Sequence, residues 1–142
     1  MAAGLPTKAN FTTGSVLTAA EMNDLAGTVN MLGDLTLRAV TGTTDTLLLA
    51  DINNYLITYS STSAVAITIP TNASAAIPVG SVINLIKIGA SGTITIQGAG
   101  GVTVASAAAV SAAPTITTAF SAASCIKVAT DSWYVVGKIV WS

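Results

Sequence analysis

The side chains with reactive chemistry are few in this 142-residue chain, and they are scattered. Six acids (Glu21, Asp24, Asp34, Asp45, Asp51 and Asp131) stand against five bases (Lys8, Arg38, Lys87, Lys127 and Lys138), and histidine is absent. Without histidine the chain lacks the usual general base and the commonest zinc ligand. The acids show neither the paired spacing of glycoside chemistry nor a loop dense enough in oxygen for calcium. Asp45 and Asp51 flank one apolar run and can meet in space, a placement that turn residues also explain. Cys125 is the single cysteine, so no internal disulfide forms; in the apolar run SCIKV it reads as a small buried hydrophobe.

No phosphate loop and no nucleophile elbow is present. The stretch GAGG, Gly98–Gly101, lacks the last glycine of a dinucleotide fingerprint and sits between two strand-like runs, where a hairpin turn explains it. Asn10 and Asn72 begin glycosylation triplets that carry meaning only in a secretory context, and MAAGLPTKANF shows no secretory signal. Trp133, Tyr134 and Trp141 can form a carbohydrate-stacking platform, although core and strand-edge packing is the stronger reading. The residues argue against an enzyme, and they imply no cofactor and no metal.

Composition points instead to surfaces. Hydrophobic residues make up 51% of the chain and charged residues 8%, against roughly 25% charged in ordinary soluble domains. The exterior must therefore be built from hydroxyls, methyls and amides, which suit close packing against other chains. A net charge of −1 with scattered bases gives no cluster to neutralise phosphates, which excludes nucleic acid. The long uncharged stretches are broken by Gly, Ser, Thr and Pro114 and have a period of two, so membrane insertion is not expected.

The elements that must position these residues divide near residue 40. Residues 1–40 read as an extended arm followed by one short α-helix, LTAAEMNDLAGTVNMLG. Thr18 is a good N-cap, Glu21 completes a capping box, and Gly33 is a natural stop. Met22, Leu25, Val29 and Leu32 make one apolar stripe. It is buried on the chain's own sheet, on two sister helices about an axis, or on a larger assembly. Residues 41–142 read as a β-domain, with strands at TLLL, YLITY, AVAITIP, SVINLIKI, TITIQ, VTV, TITTAF, SCIKVA, SWYVV and KIVW. Val65, Ile67 and Ile69 face one way, while SVINLIKI is apolar on both faces and needs a sandwich interior or a neighbouring subunit. GASG and GAGG read as hairpin turns, and the predicted class is mainly β, a compact antiparallel β-sandwich or barrel-like domain.

Two stretches carry a resemblance. GSVLTAAEMNDLAGTVN is similar to the N-terminal segment of many tailed-bacteriophage fibre and minor tail proteins, with the T-A-x-x-M-N-D-L core at Thr18–Leu25. YLITYSSTSAVAITIP, IPVGSVINLIKIGASGTITIQGAGGVTV and CIKVATDSWYVVG resemble a β-domain common near the ends of such virion appendages. The resemblance implies a virion structural protein, usually a homotrimer, held on the particle through its N-terminal region with the β-domain outward. The chain lacks the repeats of a long fibre, which points to a short tail fibre, minor tail component or capsid decoration. Its expected partners are sister subunits and other capsid or tail proteins. The alternative is a host-surface glycan-binding module of the tail tip using Trp133, Tyr134 or Trp141.

Overall fold

The computed structural model describes residues 35–52, 55–107 and 113–140. The arm, the helix with Met22, Leu25, Val29 and Leu32, and Trp141 lie outside the described residues. The β-unit runs from Thr36 to Ser142, so its first strand takes in residues that the division at 40/41 places with the arm.

Alternation of apolar and hydroxyl side chains makes strands that can bury one face, and the chain spends those strands on two sheets in turn. β1 (Thr36–Val40) lies in a first sheet and β2 (Thr44–Thr46) in a second. β3 (Tyr55–Tyr59) returns to the first sheet beside β1, and β4 (Val65–Ile69) to the second beside β2. β5 (Val82–Lys87) and β6 (Ile94–Gly98) repeat the circuit. Each circuit brings the next strand in parallel to its predecessor, because the crossover needed between parallel neighbours runs through the opposite sheet. The three circuits form a short two-sheeted coil.

The end of the coil is closed differently. β7 (Thr103–Ser106) enters the first sheet, β8 (Thr115–Ile116) pairs antiparallel with β6, and β9 (Ser121–Ala129) pairs antiparallel with β5. β10 (Ser132–Gly137) folds back on β9 through Thr130–Asp131, with Asp131 at φ 54°, and also pairs parallel with β7. The first sheet therefore has the order β1-β3-β5-β9-β10-β7 and the second β2-β4-β6-β8.

The mainly β, two-layered class is as expected, while the pairing sense differs. Among the described strands only the β5–β9, β9–β10 and β6–β8 ladders are antiparallel. GASG and GAGG are not hairpin turns: β5, β6 and β7 alternate between the sheets, so each turn is an arc from one layer to the other. Local turn chemistry is the same for an arc and a hairpin, and only long-range pairing separates them. The strand expected at TLLL begins earlier, at Thr44; the Leu47 N–H still bonds the Thr68 carbonyl at 3.0 Å, and Leu49–Ile52 winds into a 3-10 turn.

Close stacking of successive arcs explains two glycines. A Cβ on Gly89 would sit 2.1 Å from the Ser61 carbonyl oxygen, and one on Gly92, at φ 75°, would sit 2.3 Å from that of Ser63. The Ser91 hydroxyl donates to the Thr62 carbonyl at 2.8 Å across the same stack.

The two inner faces share one core. Ile57, Ile83, Leu85, Trp133 and Val135 from the first sheet meet Val65, Ile67, Ile69, Ile94, Ile96 and Ile116 from the second. Full burial of each such aliphatic side chain contributes roughly 1.5–3 kcal/mol. No described helix is long and apolar enough to cross a membrane.

Candidate functional site

The charged side chains are placed against the usual order. Arg38 on β1, Lys87 on β5 and Lys127 on β9 share the inward parity of Ile57, Leu85 and Cys125 and point into the two-sheet interior. Each needs partners there, since a charge removed from water is costly unless hydrogen bonds or an opposite charge meet it.

Arg38 binds two carboxylates. Its two terminal nitrogens donate to Asp45 Oδ1 and Oδ2 at 2.9 and 2.8 Å, a bidentate fork. Nη2 also donates to Asp51 Oδ2 at 3.1 Å, and Nε lies 2.8 Å from Asp51 Oδ1. Asp51 is 1% exposed and accepts the Leu48 N–H at 2.7 Å, which fixes the 3-10 turn. Tyr59 completes the network by donating its hydroxyl to Asp45 Oδ2 at 2.6 Å. Burial opposes the Arg38 charge, but the hydrogen bond and charge of Asp45, followed by Asp51, outweigh it and raise its pKa. Burial first, then the bond to Asp45, raises the Tyr59 phenol too. Asp45 and Asp51 thus do meet, around a guanidinium rather than as a catalytic pair. The network ties β1, β2, the 3-10 turn and β3 together.

The two lysines are held by neutral acceptors. Lys87 Nζ donates to the Gly89 carbonyl and, at 2.9 Å, to that of Ser91, inside the arc between β5 and β6. Lys127 Nζ donates to Asn72 Oδ1 at 2.6 Å and to the Ile77 carbonyl at 2.7 Å, and lies 5.8 Å from the centre of the Trp133 ring. The Asn72 N–H donates to Asp131 Oδ1 at 2.5 Å. Cys125 is fully buried, and burial pushes its thiol up to about 12, so the nucleophilic thiolate is disfavoured.

The outer face of the first sheet is the converse of this interior. Val82, Asn84 and Ile86 on β5 share it with Leu37, Leu56, Tyr134 and Val136, as the ladder registers require. No described strand residue on this face is charged, and Leu37, Val82, Tyr134 and Val136 are all exposed. Two shallow hollows of about 300 and about 270 Å³ open on it, one beside Ala105 and Tyr134, the other beside Leu56, Asn84 and Ser124. The outer face of the second sheet is different: Thr44, Thr46, Thr68 and Thr95 line it with hydroxyls.

Of the residues singled out in the sequence, Trp133 is 1% exposed and lies in the core, so its indole offers no face to a sugar. Tyr134 is exposed on the outer face, and Trp141 lies outside the described residues with the helix stripe. The inward charges were legible in part, because Lys87 shares the parity of Ile83 and Leu85 and Lys127 that of Cys125. Among the described residues no group of three or more acids, Cys or His is placed to hold a metal. No family model matches the chain, and no match is found among characterised proteins or solved structures.

Proposed function

We propose that this chain is a bacteriophage virion structural protein, a small trimeric β-rich appendage mounted on the particle through its N-terminal region. The observation that supports this reading is the uncharged outer face of the first sheet, six strands wide, beside an interior that buries Asp51, Lys87 and Lys127. Of the seven charged residues described, only Lys138 makes no side-chain hydrogen bond or ion pair within the described residues. Such a surface meets another uncharged surface without desolvating ions, and burial of its methyl groups contributes roughly 25 cal/mol per Å². Function then resides in assembly: sister subunits pack through the helix stripe Met22, Leu25, Val29 and Leu32 and through the β-faces, and the N-terminal region holds the chain on the particle.

Immunogold labelling of intact particles tests location, with label expected on heads or tails; unlabelled particles would exclude a virion role. Light scattering of the purified chain tests assembly. A mass of about 42 kDa is expected for three copies, and a mass of 14.1 kDa would remove the trimer.

A further inference from the structure

The segment after β4 and strand β9 are joined by two side chains that can react with each other. Lys127 is 2% exposed, and its Nζ rests 2.6 Å from the carboxamide oxygen of Asn72. Both ion pairs among the described residues belong to Arg38, so no described carboxylate pairs with this ammonium. A lysine so buried is rarely left without a counter-charge. Beside the pair stand the Trp133 ring and Asp131, whose carboxylate accepts the backbone N–H of Asn72 itself.

We propose that Lys127 and Asn72 form an intramolecular isopeptide bond. Lys127, after losing one proton, attacks Cγ of Asn72 through Nζ. The Nζ–Cγ bond forms, the Cγ–Nδ2 bond breaks, and Nδ2 departs as ammonia. In sum, one ammonium side chain and one carboxamide give one secondary amide and one ammonium ion, with nothing oxidised or reduced. Asp131 is the group placed to take the amine proton and return it to the leaving nitrogen. Its carboxylate does not ion-pair with Nζ, so the transfer follows a side-chain rotation or one bridging water. The product replaces a buried charge by a neutral amide.

Lys87 serves as an internal control. It is equally buried, at 1% exposed, yet among the described residues its Nζ meets only the backbone carbonyls of Gly89 and Ser91 and no side-chain carboxamide.

Intact-mass and peptide mass spectrometry of the purified full chain decide the matter. The wild-type chain is expected to be lighter by one ammonia, with Asn72 and Lys127 peptides linked and trypsin cutting after Lys87 but not after Lys127. Lys127→Arg and Asn72→Ala should retain their full mass. Asn72→Asp should reach the wild-type product mass by losing water. A wild-type chain of full mass that is cut normally after Lys127 would overturn the proposal, however the variants fold. Linkage persisting in Asp131→Asn would overturn the role given to Asp131.

Discussion

Tyr59 and Arg38 share one carboxylate: the phenol donates to Asp45 Oδ2 at 2.6 Å, and the guanidinium grips the same group through both its oxygens. Removing the hydroxyl with Tyr59→Phe leaves the ion pair standing and is expected to cost about 1.5–3 kcal/mol. Arg38→Met leaves Asp51 buried without compensation and is expected to cost about 3–5 kcal/mol. Urea unfolding of both single variants and the double variant checks this. Strictly additive losses would show that the groups do not act as a network.

Alkaline pH should weaken the fold. Burial holds the protons of Cys125 and Tyr59 in the native state above their ordinary values, while the unfolded chain releases them at roughly 8.5 and 10. The unfolded state then binds fewer protons, and stability falls as pH rises. The contribution is complete below about pH 8 and declines steadily from about pH 9 toward 12. Denaturant midpoints between about pH 7 and pH 11 should show the decline, with a shallower slope in Cys125→Ala. A flat profile would contradict it.

The stacked arcs make glycine substitutions unequal. Gly92→Ala combines a left-handed backbone with a 2.3 Å approach to the Ser63 oxygen and is expected to cost about 1–3 kcal/mol. Gly100→Ala, whose Cβ would meet nothing within 4 Å, should be close to neutral. Thermal melts of the two variants measure the difference; equal losses would count against close stacking.

A charge on the outer face of the first sheet should disrupt assembly while sparing the fold. Val136 is 48% exposed on that face, and Val79, at 60%, is exposed in the segment before β5. Val136→Asp is expected to reduce the light-scattering mass to that of a single chain, and Val79→Asp to leave it unchanged. An unchanged mass in Val136→Asp would take this face out of the interface.

Much of the β-domain was legible because period-two patterning reports which side chains share a face. Val65, Ile67 and Ile69 are buried as their alternation indicates, and Pro70 follows β4 as its missing donor suggests. Pairing direction was not legible, since GASG and GAGG satisfy the needs of an arc and a hairpin equally. The Arg38 network was hidden for a related reason. Asp45 and Asp51 are near neighbours in sequence, but their shared partner comes from an earlier strand and is brought in by the parallel β1–β3 ladder. Trp133 illustrates a third limit: an indole beside an exposed tyrosine reads the same in sequence whether it faces the core or a sugar.

Any tension transmitted along residues 1–35 enters the β-unit at Thr36, the first residue of β1. Two residues later the chain reaches Arg38, fastened to Asp45 and Asp51 beyond the strand's own ladder. By that double grip a pull on this edge strand would be shared with β2 and the turn after it before β1 could peel from the sheet.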